Sequence, residues 1–195
     1  MNNETNKPDP ALILVYGASW DDRRLIFMKE GGAYLNYTLR LVSAEEINKT
    51  IGELVASPEP EVITLAPDAP SLLLFHGMDE TVMRQLLGAL RDNAMRFDLK
   101  AVVTKTNRVW PLAALLGELA DEHALMQAWH ALASVTQRCD LLLMEPVVLQ
   151  DEGGFEADVE ATKAYLRERN VELFTLDTLS EKRKILEAHL SRLGY

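Results

Sequence analysis

The stretch TKTNRVWP, residues 104–111, sets two cations, two hydroxyls and a carboxamide within one short run. Lys105 and Arg108 are residue types that hold a phosphate or a carboxylate, and free amides at the start of a following helix would add the positive end of its dipole. Thr104, Lys105, Thr106, Asn107 and Arg108 are therefore candidates for an anion pocket. A plainer alternative has Thr106 and Asn107 bonding nearby backbone groups to shape a loop, Trp110 packing into a core, and the cations standing in solvent. The surrounding island, Arg96, Lys100, Lys105 and Arg108, faces only Asp98 in a chain whose net charge is −10.

Other residues offer weaker chemistry. His76 ends the apolar run LLLFH before Gly77, where a neutral imidazole could act as base or ligand, with Asp79 as the nearby carboxylate. In YGASWD, residues 16–21, Ser19 invites comparison with a nucleophile elbow. Asp21 stands where that tight turn needs its second glycine, so Ser19 reads as a helix cap. Gly17 and Gly77 are single glycines and make neither GxGxxG nor a P-loop. ELADEH places Glu118 and Glu122 on one helix face beside His123, and His130 lies further along, but no HExxH zinc pattern is present. His189 sits in a polar terminal helix without a specific signal. The lone Cys139 has no partner for a disulfide or a CxxC motif and reads as an inert, partly buried thiol. No cofactor or metal signature emerges.

The elements that must position these residues are strands alternating with helices. LILVYG (12–17) and LLLFHG (72–77) coincide when the sequence is shifted by 60 positions, as do LRLV (39–42) and LKAV (99–102). The identities are Leu12/Leu72, Leu14/Leu74, Gly17/Gly77, Arg24/Arg84, Leu39/Leu99 and Val42/Val102, and GEL recurs at 52–54 and 117–119. Each copy reads strand, helix, strand, helix. In the first, Gly31-Gly32 is expected to end a helix, and SAEE (43–46) reads as a capping box. In the second, Met83, Leu86, Leu87 and Leu90 recur at helical spacing, and Leu112, Leu115, Leu116 and Leu119 form the stripe of the closing helix.

The expected organisation is a tail at 1–10, a first unit at 11–56, a Pro- and acid-rich linker at 57–70, a second unit at 71–138 and an α/β extension at 139–195. HALMQAWHALASVTQR (123–138) reads as a helix at the end of the second unit. In the extension EADVEATKAYLRERN reads as a helix, LLLMEPVVL (141–149) and VELFTL (171–176) as strands, and TLSE (178–181) as another capping box, with a degenerate third unit as one reading. The fold class is α/β, a mainly parallel sheet of repeated strand-helix-strand-helix units with helices packed on it. In such a sheet the carboxyl ends of strands share one edge. Tyr16, Gly17, Ser43, His76, Gly77 and Thr104 to Arg108 should then gather on one rim.

Composition bounds the partners. With 195 residues, 48% hydrophobic and 26% charged, the chain has the makings of a globular core. The evenly spread acidic charge and the lack of a basic arm disfavour general DNA or RNA binding. No apolar run reaches membrane-spanning length, and MNNETNKPDP lacks the order of a signal peptide, so a cytoplasmic protein is expected, with no membrane association.

LLLFHGMDETVMRQLLGALRDN followed by LKAVVTKTNRVWPLAALLGELADEH closely resembles the bacterial family known as domain of unknown function 3783. The residues that carry the resemblance are Gly77, Leu99, Lys100, Ala101, Val102, Thr104, Thr106, Asn107, Trp110, Glu118, Leu119, Glu122 and His123. It covers about residues 71–126, and Pro111 departs from the Thr or Ser expected after the Trp. Proline suits the first helical turn, so a helix start survives while a hydroxyl cap is lost. The resemblance implies a fold unit and a bacterial source, and no activity. The resulting expectation is a non-enzymatic α/β binding or protein-interaction module, homo-oligomeric or with a protein partner. The alternatives are a sensor of an anionic small molecule at the strand rim and an enzyme of unrecognised type using His76.

Overall fold

The computed structural model describes residues 11–144, 154–168 and 173–195. They divide into two compact units, one up to Leu119 and one from Ala120 onward. In the first unit, β1 (Ala11–Tyr16), α1 (Arg23–Leu35), β2 (Tyr37–Val42) and α2 (Ile51–Ala56) are followed by β3 (Leu72–His76), α3 (Glu80–Asp92), β4 (Leu99–Val102) and α4 (Leu112–Leu142). A 3-10 turn precedes each second helix, at Ala44–Glu46 and at Asn107–Val109.

The four strands form one sheet in the order β2-β1-β3-β4. The outer pairs, β1 with β2 and β3 with β4, are parallel, as expected for strands joined through a helix. The central pair, β1 with β3, is antiparallel, so the sheet is mixed and the expectation of a mainly parallel sheet is corrected. Leu14 pairs with Leu74 at its centre, Leu12 with His76 and Tyr16 with Leu72.

Short, almost wholly apolar strands suit a sheet covered on both faces. On one face Ile13, Val15, Leu41, Leu73 and Phe75 pack with Leu25 and Met28 of α1 and Leu86 and Leu90 of α3. On the other, Leu14, Tyr16, Val42, Leu72, Leu74 and Leu99 pack with Ile51 and Leu54 of α2 and Leu112, Leu115 and Leu116 of α4.

This layering tests the sequence alignment strand by strand. Leu39 packs on the first face and Leu99 on the second, while Val42 is buried and Val102 is 45% exposed. A one-residue slip between strands exchanges faces, so these two identities do not mark equivalent places. Through the ladders, Val15 pairs with Leu41 and Phe75 with Val102, which puts Leu41 opposite Val102 in role. GEL is likewise out of step, because Thr50 bridges Pro111, Ile51 N–H donates to the Trp110 carbonyl and Leu112 N–H to the Lys49 carbonyl. That pairing matches Ile51 with Leu112 and leaves Gly52 facing Arg108 rather than answering Gly117.

Two helix ends also differ from expectation. The Gly31-Gly32 pair lies inside α1, which runs on to a left-handed cap at Asn36; a Cβ on Gly32 would come within 3.0 Å of the Tyr37 carbonyl, so close approach calls for that glycine. The last helix, α6 (Leu176–Arg192), is capped by Thr175, whose hydroxyl accepts from Thr178 N–H, so Thr178 lies inside it instead of opening it.

The second unit contains the later turns of α4, then α5 (Phe155–Leu166) and α6, around Leu132, Cys139, Phe155, Val159, Leu179, Leu186 and Leu190. The strands expected at 141–149 and 171–176 do not form where the chain is described: Leu141 and Leu142 end α4, Leu143 and Met144 turn, and Leu173 to Thr175 form no strand before α6 starts. The tail at 1–10, residues 145–149, Gly153, and Val171 and Glu172 lie outside the described residues. Among those described, no helix is long and apolar enough to cross a membrane.

Candidate functional site

The antiparallel centre of the sheet divides the expected rim. Tyr16 ends β1 beside Leu72, the start of β3, whereas His76 ends β3 beside Leu12, the start of β1. Tyr16 and Gly17 therefore lie at one end of the strands, and His76, Gly77 and Thr104 to Arg108 at the other, separated by the length of β1, about 17 Å. Tyr16 is 3% exposed and belongs to the core. Gly17, at φ +71°, meets the Pro70 carbonyl so closely that a Cβ would lie 2.5 Å from its oxygen; Gly77, at φ +63°, has open space around it. Ser43 is buried at the Tyr16 end.

At the His76 end, TKTN is the counterpart of the SAEE box, with the neutral Asn107 in the place of Glu46. Ser43 N–H donates to the Glu46 carboxylate at 3.2 Å, and Glu46 N–H to the Ser43 carbonyl at 2.9 Å. Thr104 N–H donates to Asn107 Oδ1 at 2.8 Å, and Asn107 N–H returns to Thr104 Oγ1 at 3.1 Å, while Asn107 Nδ2 reaches the Val102 carbonyl at 2.9 Å. Both boxes hold a short turn that leads to the next helix. The amides expected to greet an anion are already engaged: Leu112 N–H goes to the Lys49 carbonyl, Ala113 N–H to the Ile47 carbonyl and Ala114 N–H to the Pro111 carbonyl. Arg108 lies against Gly52, where an added Cβ would be 3.1 Å from its carbonyl oxygen and 3.2 Å from its Cγ. Thr104, Lys105, Thr106 and Arg108 are exposed, and Trp110 packs partly buried on the α2–α4 core.

The remaining candidates are placed as follows. Asp79 caps α3, accepting from Thr81 and Val82 N–H, and these bonds hold its carboxyl below the usual range. Ser19 donates to Asp21, and the cap of α1 is Asp22. Glu118, Glu122 and His123 are exposed on α4, and His123 shares a hydrogen bond with Gln127. Cys139 is fully buried, which pushes its thiol up to about 11.

Sequence reasoning missed two polar clusters. Arg24 grips Asp22 at 2.6 Å, donates to Ser71 Oγ and the Arg96 carbonyl, and stacks 4.3 Å above the Phe97 ring. Ser71 in turn donates its N–H and hydroxyl to Asp98, which lowers that carboxyl, and the Arg24 contact lowers Asp22. This ties α1 to the entry of β3 and β4, and the only sequence signal was the chance-like identity of Arg24 with Arg84. In the second unit His189 is buried, with Nε2 at 2.8 Å from Asp158 and its ring beside Phe155. A histidine in an otherwise polar helix gave no warning of that.

The cationic island is split by β4. Lys105 and Arg108 lie beyond its carboxyl end, while Arg96 and Lys100 lie at its amino end. There they join Arg84 and Arg91 of α3 around a groove of about 670 Å³, floored by Leu87, Leu90, Met95 and open space above Gly88. None of its lining residues is acidic. Arg84 has an exposed partner in Glu80 at 3.2 Å and Arg91 in Asp92 at 3.3 Å; Arg96 and Lys100 pair with no carboxylate among the described residues. Exposed pairs of this kind contribute little and exchange readily.

No curated protein and no solved structure matches the chain. Residues 71–126, which carry β3, α3, β4, the TKTN turn and all four groove cations, match the family described as a domain of unknown function, DUF3783.

Proposed function

We propose that the first unit is an α/β protein-interaction module that receives a negatively charged partner in the groove between α3 and β4. The observation that carries this reading is the convergence of Arg84, Arg91, Arg96 and Lys100 on one apolar-floored groove with no lining acid, in a chain of net charge −10. Such a site concentrates positive potential where the rest of the surface repels anions, which favours an acidic partner and orients it. A further support is that every one of the four cations falls within the family segment.

We also read the unit as two related halves. The register about Leu14 and Leu74, the Thr50 to Pro111 bridge and the paired SAEE and TKTN boxes support that reading.

The test is binding of poly-L-glutamate followed by fluorescence anisotropy. Expected is association that weakens steeply with salt and at least tenfold in the R84A/R91A double variant. Lack of association at low salt, or association indifferent to the double variant, removes the proposal. The small-anion alternative at Lys105 and Arg108 is less favoured, since the helix amides it needs are bonded to Ile47 and Lys49. It would be revived if phosphate raised the melting temperature and K105A/R108A abolished the shift.

A further inference from the structure

The two outer strands present matching backbone amides at Leu41 and Val102, and among the described residues only the first has a partner. Leu41 of β2 and Val102 of β4 hold corresponding places, opposite Val15 and Phe75. Leu41 N–H turns away from β1 and donates to Glu59 Oε2 at 2.7 Å, while Oε1 of the same carboxylate accepts from Trp20 Nε1 at 2.9 Å. Further along, Ala44 N–H donates to the Thr64 carbonyl at 2.8 Å. An acid-bearing segment of the chain itself thus covers the carboxyl end of the β2 edge.

On β4, Leu99 N–H donates to the Ser71 carbonyl and Val103 N–H to the Phe75 carbonyl. Alternate residues of a parallel strand face the same neighbour, so Lys100 and Val102 turn their N–H and C=O groups outward. The Val102 carbonyl is taken by Asn107. Val102 N–H and both Lys100 groups find no backbone or side-chain partner among the described residues.

We infer that an extended acidic segment of a partner protein adds to β4 as a further strand. It would place a carboxylate or carbonyl at Val102 N–H, as Glu59 does at Leu41, and set alternate side chains toward Arg84, Arg91, Arg96 and Lys100. This rests on the groove reading above and deepens it by naming the backbone as the second recognition element. A lysine on a short open edge guards against indiscriminate pairing. Here the guard selects by charge: it opposes a second copy docked β4 to β4, which would juxtapose like cations, and admits a negative strand.

The probe is a short synthetic peptide alternating Glu and Thr, followed by anisotropy, with a Gln and Thr peptide as control. The proposal expects the Glu peptide to bind and the Gln peptide to bind at least tenfold more weakly. Val102→Pro deletes only an outward N–H, which an edge strand tolerates, and should weaken binding about tenfold with the melting temperature nearly unchanged. Should that variant not fold, the wild-type protein decides with peptides N-methylated at alternate residues: one methylation register must abolish binding and the other leave it intact. Binding lost in R84A/R91A yet unchanged by Val102→Pro and by both methylation registers overturns strand addition and leaves the groove reading standing. Failure of the Glu peptide to bind wild type overturns strand addition, and the groove reading falls with it only if poly-L-glutamate also fails. A wild-type dimer in sedimentation that Val102→Pro dissolves makes a second copy the occupant and overturns the proposal.

Discussion

The β2 half of the sheet covers its outward amide at Leu41 with its own chain, whereas among the described residues the β4 half leaves the corresponding amide of Val102 uncovered, although both halves run strand, helix, strand, turn, helix. The difference extends inward. Arg40 of β2 is buried and pairs with Glu46 at 2.8 Å, with further bonds to the Ser57 and Pro58 carbonyls. At the corresponding places the β4 half has Ala101 and Asn107, so the groups that bond its turn are neutral and need no buried counter-ion. One half invests its charges in fixing its own covering segment; the other carries its charges outside, around the groove. Similar backbones can thus be made self-contained or receptive by moving a few ionic groups between interior and surface.

The comparison can be broken most forcefully at the buried pair. Glu46→Ala strands the Arg40 guanidinium and should cost about 3 kcal/mol in urea unfolding, since breaking a buried pair leaves an uncompensated charge. Asn107→Ala removes neutral bonds from a half-exposed turn and should cost about 1 kcal/mol. Equal losses would mean that the two turns are held alike. Next come the glycines that end β1 and β3. Gly17→Ala combines left-handed strain with a clash at the Pro70 carbonyl and should cost about 2 kcal/mol or more, against about 1 kcal/mol for Gly77→Ala, where only the strain applies.

Acid should act on the same asymmetry. Burial pushes the Glu46 carboxyl up, but Arg40, Lys49 and the Ser43 amide together hold it below its ordinary value. A carboxyl whose folded value is depressed contributes stability that is present above the unfolded value, about 4.3, and lost as pH falls through the folded one. Stability measured from pH 6 downward should therefore decline less steeply in Glu46→Gln than in wild type, whereas Asn107→Ala should leave the slope unchanged. The smallest effect concerns the edges: Glu59→Ala should cost about 1 kcal/mol by releasing Leu41 N–H, and Val102→Pro less than that.

Much of the element order was legible because SLLLFHG and LILVYG are short apolar runs closed by glycine, and because Leu and Met recur at helical spacing in 83–90. The direction of β3 against β1 was not: residues 57–70 form a connection long enough to return the chain to either end of the sheet, and no local residue type records which. Leu39 and Leu99 were aligned by identity, yet a single residue of slip sets their faces, and that is decided by helix packing. SAEE announced its box through Glu46, but TKTN hid the matching bond from its first amide behind an Asn. The groove escaped notice because Arg84 and Arg91 meet Arg96 and Lys100 only when α3 folds back on β4; in the sequence, Arg96 and Lys100 look allied with Lys105 and Arg108. Where the final third is described, the strand expectations took apolar residues of a helical core, such as Leu142 and Phe174, for sheet residues.

The most direct measurement is amide hydrogen exchange at the two corresponding positions, Leu41 and Val102, with and without the alternating Glu and Thr peptide. The open-edge account predicts a protected Leu41 in both conditions and a Val102 amide that exchanges quickly in the free protein and slows when peptide is bound. A Val102 amide already protected in the free protein, or one unmoved at saturating peptide, would contradict it.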